Sequence, residues 1–155
     1  MGYRVEVVHE QARHLAVVRF RATPAELPGK ISRAFGTVGA YLTRERLPPA
    51  GPPVTRYELR DGEFEVATGF PVSAPVVGDG IVLPLDLPEC DCVRTVHVGR
   101  YEDLGRAYDA LRAAALESGR SVDEEAPMWE EYLTGPDVPA DRQRTVVHWP
   151  LARVG

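Results

Sequence analysis

Lysine is almost missing from this chain of 155 residues: Lys30 is the only one, and all other fixed positive charge is arginine. With 18 basic against 23 acidic residues the formal charge is −5. The clustered basic surface that a phosphate backbone requires is therefore absent, and no nucleic-acid partner is expected. Long apolar runs are missing too. None approaches the roughly 18 residues of a membrane span, and Met1-Gly2-Tyr3-Arg4 leads into a strand pattern instead of a signal peptide. The expected partners include no membrane, and the expected compartment is the cytoplasm. Cysteine is limited to Cys90 and Cys92, read as reduced thiols in or beside a strand. His9, His14, His97 and His148 stand singly, so no metal site is expected. Walker, dinucleotide-binding and zinc-protease spacings are all absent, and no cofactor is implied. The preference for Arg, Ala, Gly and Pro fits a GC-rich bacterial genome.

What is present is a pattern of alternating strands and amphipathic helices that occurs twice. Tyr3 to Val8 and Leu15 to Phe20 alternate apolar and polar residues and read as strands. Thr23-Pro24-Ala25-Glu26 is a capping box with proline at the first helical position. Leu27, Ile31, Phe35, Val38 and Leu42 then recur at helical spacing to about Arg46. After the Pro48 to Pro53 turn come strands from Val54 to Leu59 and Phe64 to Val72, with Asp61-Gly62 between them. Ile81 to Leu87 reads as an extended link. The order then recurs: a strand from Cys92 to Val98, a helix from Tyr101 to Ser118, and strands from Trp129 to Leu133 and Thr145 to Leu151. This is an α+β chain forming one domain of 1–155, with a first repeat of about 3–75 and a second of about 80–152 related by a pseudo-twofold. The expected antiparallel sheets enclose a central cleft backed by two helices. Only the last few residues are expected to be disordered.

The chemistry concentrates in Met128-Trp129-Glu130-Glu131-Tyr132-Leu133-Thr134-Gly135-Pro136. Alternation along a strand sends Glu130 and Tyr132 one way and Trp129 and Glu131 the other. Either face brings a carboxylate into apolar surroundings beside a ring, which costs several kcal/mol for an unpaired charge. Glu130 is the leading candidate, either to attract a cation or to move a proton. Tyr57 falls near the place of Tyr132 in the first repeat, so the two rings are expected on either side of one cleft. Trp149 and Phe70 are candidate cleft walls. Trp129 joins them only if the strand end twists or bulges. His97 is a lesser candidate, since a single strand histidine is more often satisfied structurally. Phe20, Phe35, Tyr41 and Tyr108 read as core, and Arg142 and Arg144 as a solvated face.

His97-Val98-Gly99-Arg100-Tyr101-Glu102, Gly51-Pro52-Pro53 before Tyr57, Trp129 to Pro136, and the closing Thr145 to Leu151 together resemble the GyrI-like family. This is the fold of effector-binding domains in multidrug-responsive bacterial regulators. The family often has proline where Arg100 stands. The resemblance implies a duplicated module that stacks bulky aromatic or cationic compounds near a buried glutamate, with the glutamate–any–tyrosine pattern falling on Glu130 and Tyr132. The chain shows no helix-turn-helix segment and reads as a stand-alone member, a monomer or homodimer. Two functions follow. One is capture of aromatic or cationic small molecules by Tyr57, Phe70, His97, Trp129, Glu130, Tyr132 and Trp149. The other is a hydrolase that adds water to the cyclopropane of DNA-alkylating natural products, a form of antibiotic resistance, with Glu130 and Tyr132 as catalytic residues.

Overall fold

A computed structural model describes residues 2–153. The expected disordered end falls partly on residues 154 and 155, which lie outside the described residues. The described part contains eight strands and two α-helices: β1 (Glu6–Glu10), β2 (Arg13–Ala22), α1 (Leu27–Arg44), β3 (Val54–Arg60), β4 (Glu63–Val72), β5 (Leu83–Leu87), β6 (Cys90–Val98), α2 (Leu104–Glu117), β7 (Met128–Tyr132) and β8 (Arg144–Pro150). The α+β class and the duplicated strand-helix-strand-strand order are as expected, and all the pairings within each unit are antiparallel.

The chain divides into two compact units. One is the continuous segment Ala12–Pro88; the other joins the residues up to Gln11 to those from Glu89 onward. In the continuous unit the strands run β3-β4-β2-β5, and in the discontinuous unit β7-β8-β6-β1. The two orders are the same. Each unit's outer strand, however, is supplied by the stretch of chain that precedes the other unit. β1 leads into β2 yet pairs with β6, and β5 leads into β6 yet pairs with β2. The segment read as an extended link is thus a strand in register with β2, from Leu83 opposite Val17 to Leu87 opposite Arg13.

In the continuous unit α1 buries Ala34, Val38, Tyr41 and Leu42, the i, i+4, i+7, i+8 stripe of an amphipathic helix. Val38, Tyr41 and Leu42 pack with Ala16, Val72, Val76 and Val82. Only half of the capping box forms: Thr23 donates its backbone N–H and hydroxyl to Glu26 Oε1, each at 3.0 Å, but Glu26 and not Thr23 is the N-cap, with no side-chain cap bond. Regular helix nevertheless starts only at Leu27, so Pro28, and not Pro24, is the proline of the first turn. Asp61 and Gly62 both take positive φ, 52° and 79°, as a two-residue type I′ hairpin turn demands. In the discontinuous unit α2 buries Ala107, Leu111 and Ala115. They pack against Val93 of β6, Val147 and Trp149 of β8, and Val122 and Leu151. A 3₁₀ turn, Tyr101–Asp103, leads into this helix.

Candidate functional site

Register fixes the direction of each side chain on β7. Glu130 lies opposite Val147, and Val147 belongs to the cluster packed under α2. Glu130 therefore points at the helix, and alternation carries Tyr132 to the same face. Only 5% of Glu130 is exposed. Its two oxygens are taken by two phenols: the Tyr108 hydroxyl donates to Oε2 at 2.7 Å and the Tyr132 hydroxyl to Oε1 at 2.8 Å. A carboxylate only accepts, so both phenols donate. Each charge-assisted bond is worth about 1.5–3 kcal/mol. Together they offset a desolvation cost of several kcal/mol for a buried ion. A carboxylate is held in the interior of this unit by two tyrosine hydroxyls.

Rings surround it. Tyr101 meets Tyr132 edge-on at 5.8 Å, and Tyr108 meets Trp149 edge-on at 6.1 Å. Tyr101 stands at the outer side, 44% exposed. Burial, with the nearby Glu130 charge second, raises its phenol above the ordinary tyrosine range. Its hydroxyl donates to Gln143 Oε1 at 2.7 Å. Gln143, only 5% exposed, also accepts from the Thr134 hydroxyl at 2.9 Å. It donates to the carbonyls of Gly135 and Val138 at 3.2 and 2.8 Å. One buried amide thereby ties the loop after β7 to the Tyr101 turn.

The other candidate residues are placed differently. Trp149 is 6% exposed; its indole N–H donates to the Asp123 carbonyl at 3.1 Å, and the Arg112 guanidinium lies 4.7 Å from its ring centre. It is core of the discontinuous unit, with one face already under a cation. Trp129 stays opposite Glu130, because β7 and β8 pair without a bulge from Trp129–His148 to Tyr132–Thr145. The twist or bulge that would have brought Trp129 to the Glu130 face does not occur. Its ring stacks on His148 at 4.6 Å and 8°. His97 is buried between Tyr3 and the turn at Arg100. The carbonyl of Arg100 only accepts, so Nε2 donates to it at 2.9 Å and Nδ1 accepts the Tyr3 hydroxyl at 2.8 Å. Both ring nitrogens are occupied, which leaves none to offer a ligand.

In the continuous unit, Tyr57 meets Phe64 edge-on at 5.6 Å and Phe70 meets Phe35 at 5.8 Å. Cys90 and Cys92 are free thiols. Arg142 and Arg144 are exposed, as a solvated face requires. Among the described residues no group of three or more His, Cys, Asp or Glu side chains is arranged to hold a metal ion. No described helix is long and apolar enough to cross a membrane. Sequence reasoning missed two residues of the site, Tyr108 and Tyr101. The helical stripe marked Tyr108 as core, and nothing local to it reveals that its hydroxyl reaches a strand 22 positions on. Tyr101 carried a signal in its place before a helix, two positions after Gly99.

The sequence pattern of the GyrI-like small molecule binding domain matches residues 3–152. No curated protein matches the chain. Solved structures share its fold. EcmrR in complex with DNA aligns at TM-score 0.81 and 17% identity, covering 98% of this chain and 58% of EcmrR. The chain thus spans a little over half of that protein, and the EcmrR C-terminal domain alone is covered completely at TM-score 0.78. A protein described as a hydrolase, from Listeria innocua, aligns at TM-score 0.71 and 14% identity over 97% of this chain and 93% of its own. SAV2435 bound to tetraphenylphosphonium aligns at TM-score 0.66 and 12% identity over 98% and 94%.

Proposed function

The chain belongs to the GyrI-like small molecule binding domain family, and from that premise we propose that it captures bulky aromatic cations through Glu130. The observation that carries this reading is the Glu130 carboxylate, 5% exposed and held by Tyr108 and Tyr132. An anion already desolvated and oriented attracts a cation more strongly than one in water, because little of its hydration remains to be stripped. Soft, delocalised cations are favoured over compact ammonium ions, which lose more hydration on entering. The rings of Tyr101 and Tyr132 add about 0.5–1.5 kcal/mol each in edge or stacked contact. Tyr101, exposed and at the outer side of the unit, is the residue a guest meets first.

Tetraphenylphosphonium, the cation bound in the SAV2435 structure, is the natural probe. Titration followed by tryptophan fluorescence should give saturable binding that weakens about tenfold in Glu130→Gln, the loss of roughly 1.4 kcal/mol of charge attraction. Neutral triphenylphosphine oxide should bind the wild type and Glu130→Gln alike. Equal affinity of the phosphonium for both proteins ends the cation reading.

A second reading rests on the same pair of groups. A carboxylate beside a phenol is also a general base next to a proton donor, and one structural relative is described as a hydrolase. In that case Glu130 deprotonates water as its oxygen bonds a carbon of a cyclopropane conjugated with a carbonyl. The cyclopropane C–C bond breaks, its electron pair passes to the carbonyl oxygen, Tyr132 protonates that oxygen, and the proton on Glu130 returns to Tyr132. Mass spectrometry of a cyclopropane-bearing alkylator should then show a water adduct formed over many turnovers, abolished in Glu130→Gln. Stoichiometric binding without adduct leaves capture alone.

A further inference from the structure

The continuous unit carries an arginine cluster that the Glu130 reading does not use. Side chains of β2, β3 and β4 alternate between the face packed on α1 and the opposite face. Ala16 and Val18 pack with α1, which sends Arg19 and Arg21 to the other side. The register then sets Arg19 and Arg56 on either side of Ala67, and Arg21 in the next row with Glu65 and Glu58. A cavity of about 320 Å³ opens among Arg19, Arg21, Arg56, Glu58 and Glu65, over the intervening strand positions Phe20 and Val66, whose side chains alternate to the α1 face. That volume falls at the low end of the range of small-molecule sites, roughly 300–1,000 Å³.

The charges in this cavity are unevenly matched. Arg60 hydrogen-bonds Glu58 Oε2 at 3.0 Å and reaches Glu65 Oε2 at 3.2 Å, so one arginine at the margin occupies both carboxylates. Arg56 comes no closer than 3.7 Å to Glu58, although its side chain is only 19% exposed. Among the described residues Arg19 and Arg21 have no carboxylate within ion-pair distance. Among the lining residues three guanidinium groups face two carboxylates, an excess of one positive charge in a chain of formal charge −5. Burial pushes the Arg56 guanidinium below the ordinary arginine range; the Glu58 charge opposes this and the Arg19 charge adds to it. A half-buried guanidinium without a hydrogen-bonding carboxylate is unusual, since its planar fork is suited to a bidentate oxyanion.

We propose that this cavity binds the oxyanion group of a small molecule, a phosphate or a carboxylate, gripped by Arg56 and closed over by Arg19 and Arg21. The cavity size and the net negative charge of the chain favour a small anion over a polyanionic macromolecule. Its lining residues are not those that hold Glu130, and it takes ligands of the opposite charge.

The test is calorimetric titration of the whole chain with inorganic phosphate and, in a second arm, with succinate, sodium chloride holding the ionic strength constant. At least one of the two should bind saturably. Its affinity should fall about tenfold in Arg56→Lys, which keeps the charge but loses the fork, and as much in Arg19→Gln. It should be unchanged in Arg142→Gln, an exposed arginine of the other unit. Tighter binding of phosphate assigns the site to phosphorylated ligands, and tighter binding of succinate to carboxylates. Circular dichroism confirms folding, and Arg19 is exposed enough that its variant keeps the test valid should Arg56→Lys unfold. Absence of saturable binding by either anion at tens of millimolar overturns the proposal. So does an equal loss in Arg142→Gln, or unchanged affinity in both Arg56→Lys and Arg19→Gln.

Discussion

Replacing Tyr108 by phenylalanine removes one oxygen and leaves the ring against Trp149 in place. The hydroxyl lost is the donor 2.7 Å from Glu130 Oε2. A hydrogen bond to a charged acceptor is worth about 1.5–3 kcal/mol, and a carboxylate left one donor short in the interior forfeits it in full. For a chain of this length 1 kcal/mol moves the melting temperature by roughly 2–4 °C, so Tyr108→Phe should melt about 3–12 °C below the wild type at pH 7. The partner variant Glu130→Gln has an amide oxygen in place of the charge, and the same tyrosine substitution made there should cost only about 0.5–1.5 kcal/mol, the neutral hydrogen-bond value. Urea unfolding of the four proteins in the cycle supplies the numbers, and the difference between the two costs is the charge-dependent coupling. If Tyr108→Phe costs the same in the wild type as in the Glu130→Gln background, the phenol is not holding a carboxylate, and the account of the site fails.

Three further outcomes can be measured directly. A Cβ at Gly69 would stand 1.8 Å from the Ala16 carbonyl oxygen on the adjacent strand; Gly69→Ala should therefore lose about 3 kcal/mol or more, and normal stability in denaturant would show that the strands are not that close. His9 bonds Asp91 and then Glu89, which together raise its pKa to about 9. Because the folded value lies above the ordinary value near 6.5, the stabilisation is complete below about pH 6.5 and fades as pH rises through about 9; a proton NMR titration of His9 should show that midpoint, and Asp91→Asn should lower it. The hydrogen bond from Cys92 lowers the Cys90 thiol pKa, whereas the same bond and burial raise that of Cys92; a thiol reagent at pH 8 should modify one cysteine, and Cys90→Ser should abolish the reaction.

Local chemistry made much of this legible in advance. The Asp61-Gly62 turn, the Thr23–Glu26 contact and the buried stripe of α1 each rest on residues within one or two turns of each other, and each appears, although Thr23 does not cap the helix. The errors are long-range. β5 contains Pro84 and has no partner nearby in sequence; its pairing with β2 bridges about 70 residues and cannot be read from its own composition. The exchange of β1 and β5 between units is hidden for the same reason, since a contiguous repeat is the simplest reading of a duplicated pattern. At the site, alternation correctly separated Trp129 from Glu130, and the bulge invoked to reunite them had no turn residue or glycine in the strand to produce it. Tyr108 shows the limit of periodicity, which tells that a helical side chain turns inward but not whether its hydroxyl finds a carboxylate there.

The duplication also isolates what is special about Glu130. Strand order sets β3 in the place of β7 and β4 in that of β8; with Tyr57 as the counterpart of Tyr132, Thr55 opposite Thr68 stands where Glu130 stands opposite Val147. Thr55 is fully buried, and its hydroxyl lies 3.2 Å from that of Thr68: in one unit the position is neutral and self-satisfied, in the other charged. The helices differ to match. Where α2 offers the Tyr108 hydroxyl to its carboxylate, the tyrosine of α1, Tyr41, accepts the Gly78 backbone N–H at 3.0 Å. A glutamate at position 55 would thus enter an interior whose helix holds no phenol poised to receive it. Thr55→Glu should cost at least about 3 kcal/mol at neutral pH, the penalty of a buried charge without adequate donors. The reverse replacement, Glu130→Thr, should be far milder, because it removes a charge and leaves two hydroxyls that a small guest or water can satisfy. Denaturant curves for the pair decide the matter. If the two substitutions are equally tolerated, the donors around Glu130 are incidental to keeping its charge inside, and a carboxylate there needs some other explanation than the two tyrosines.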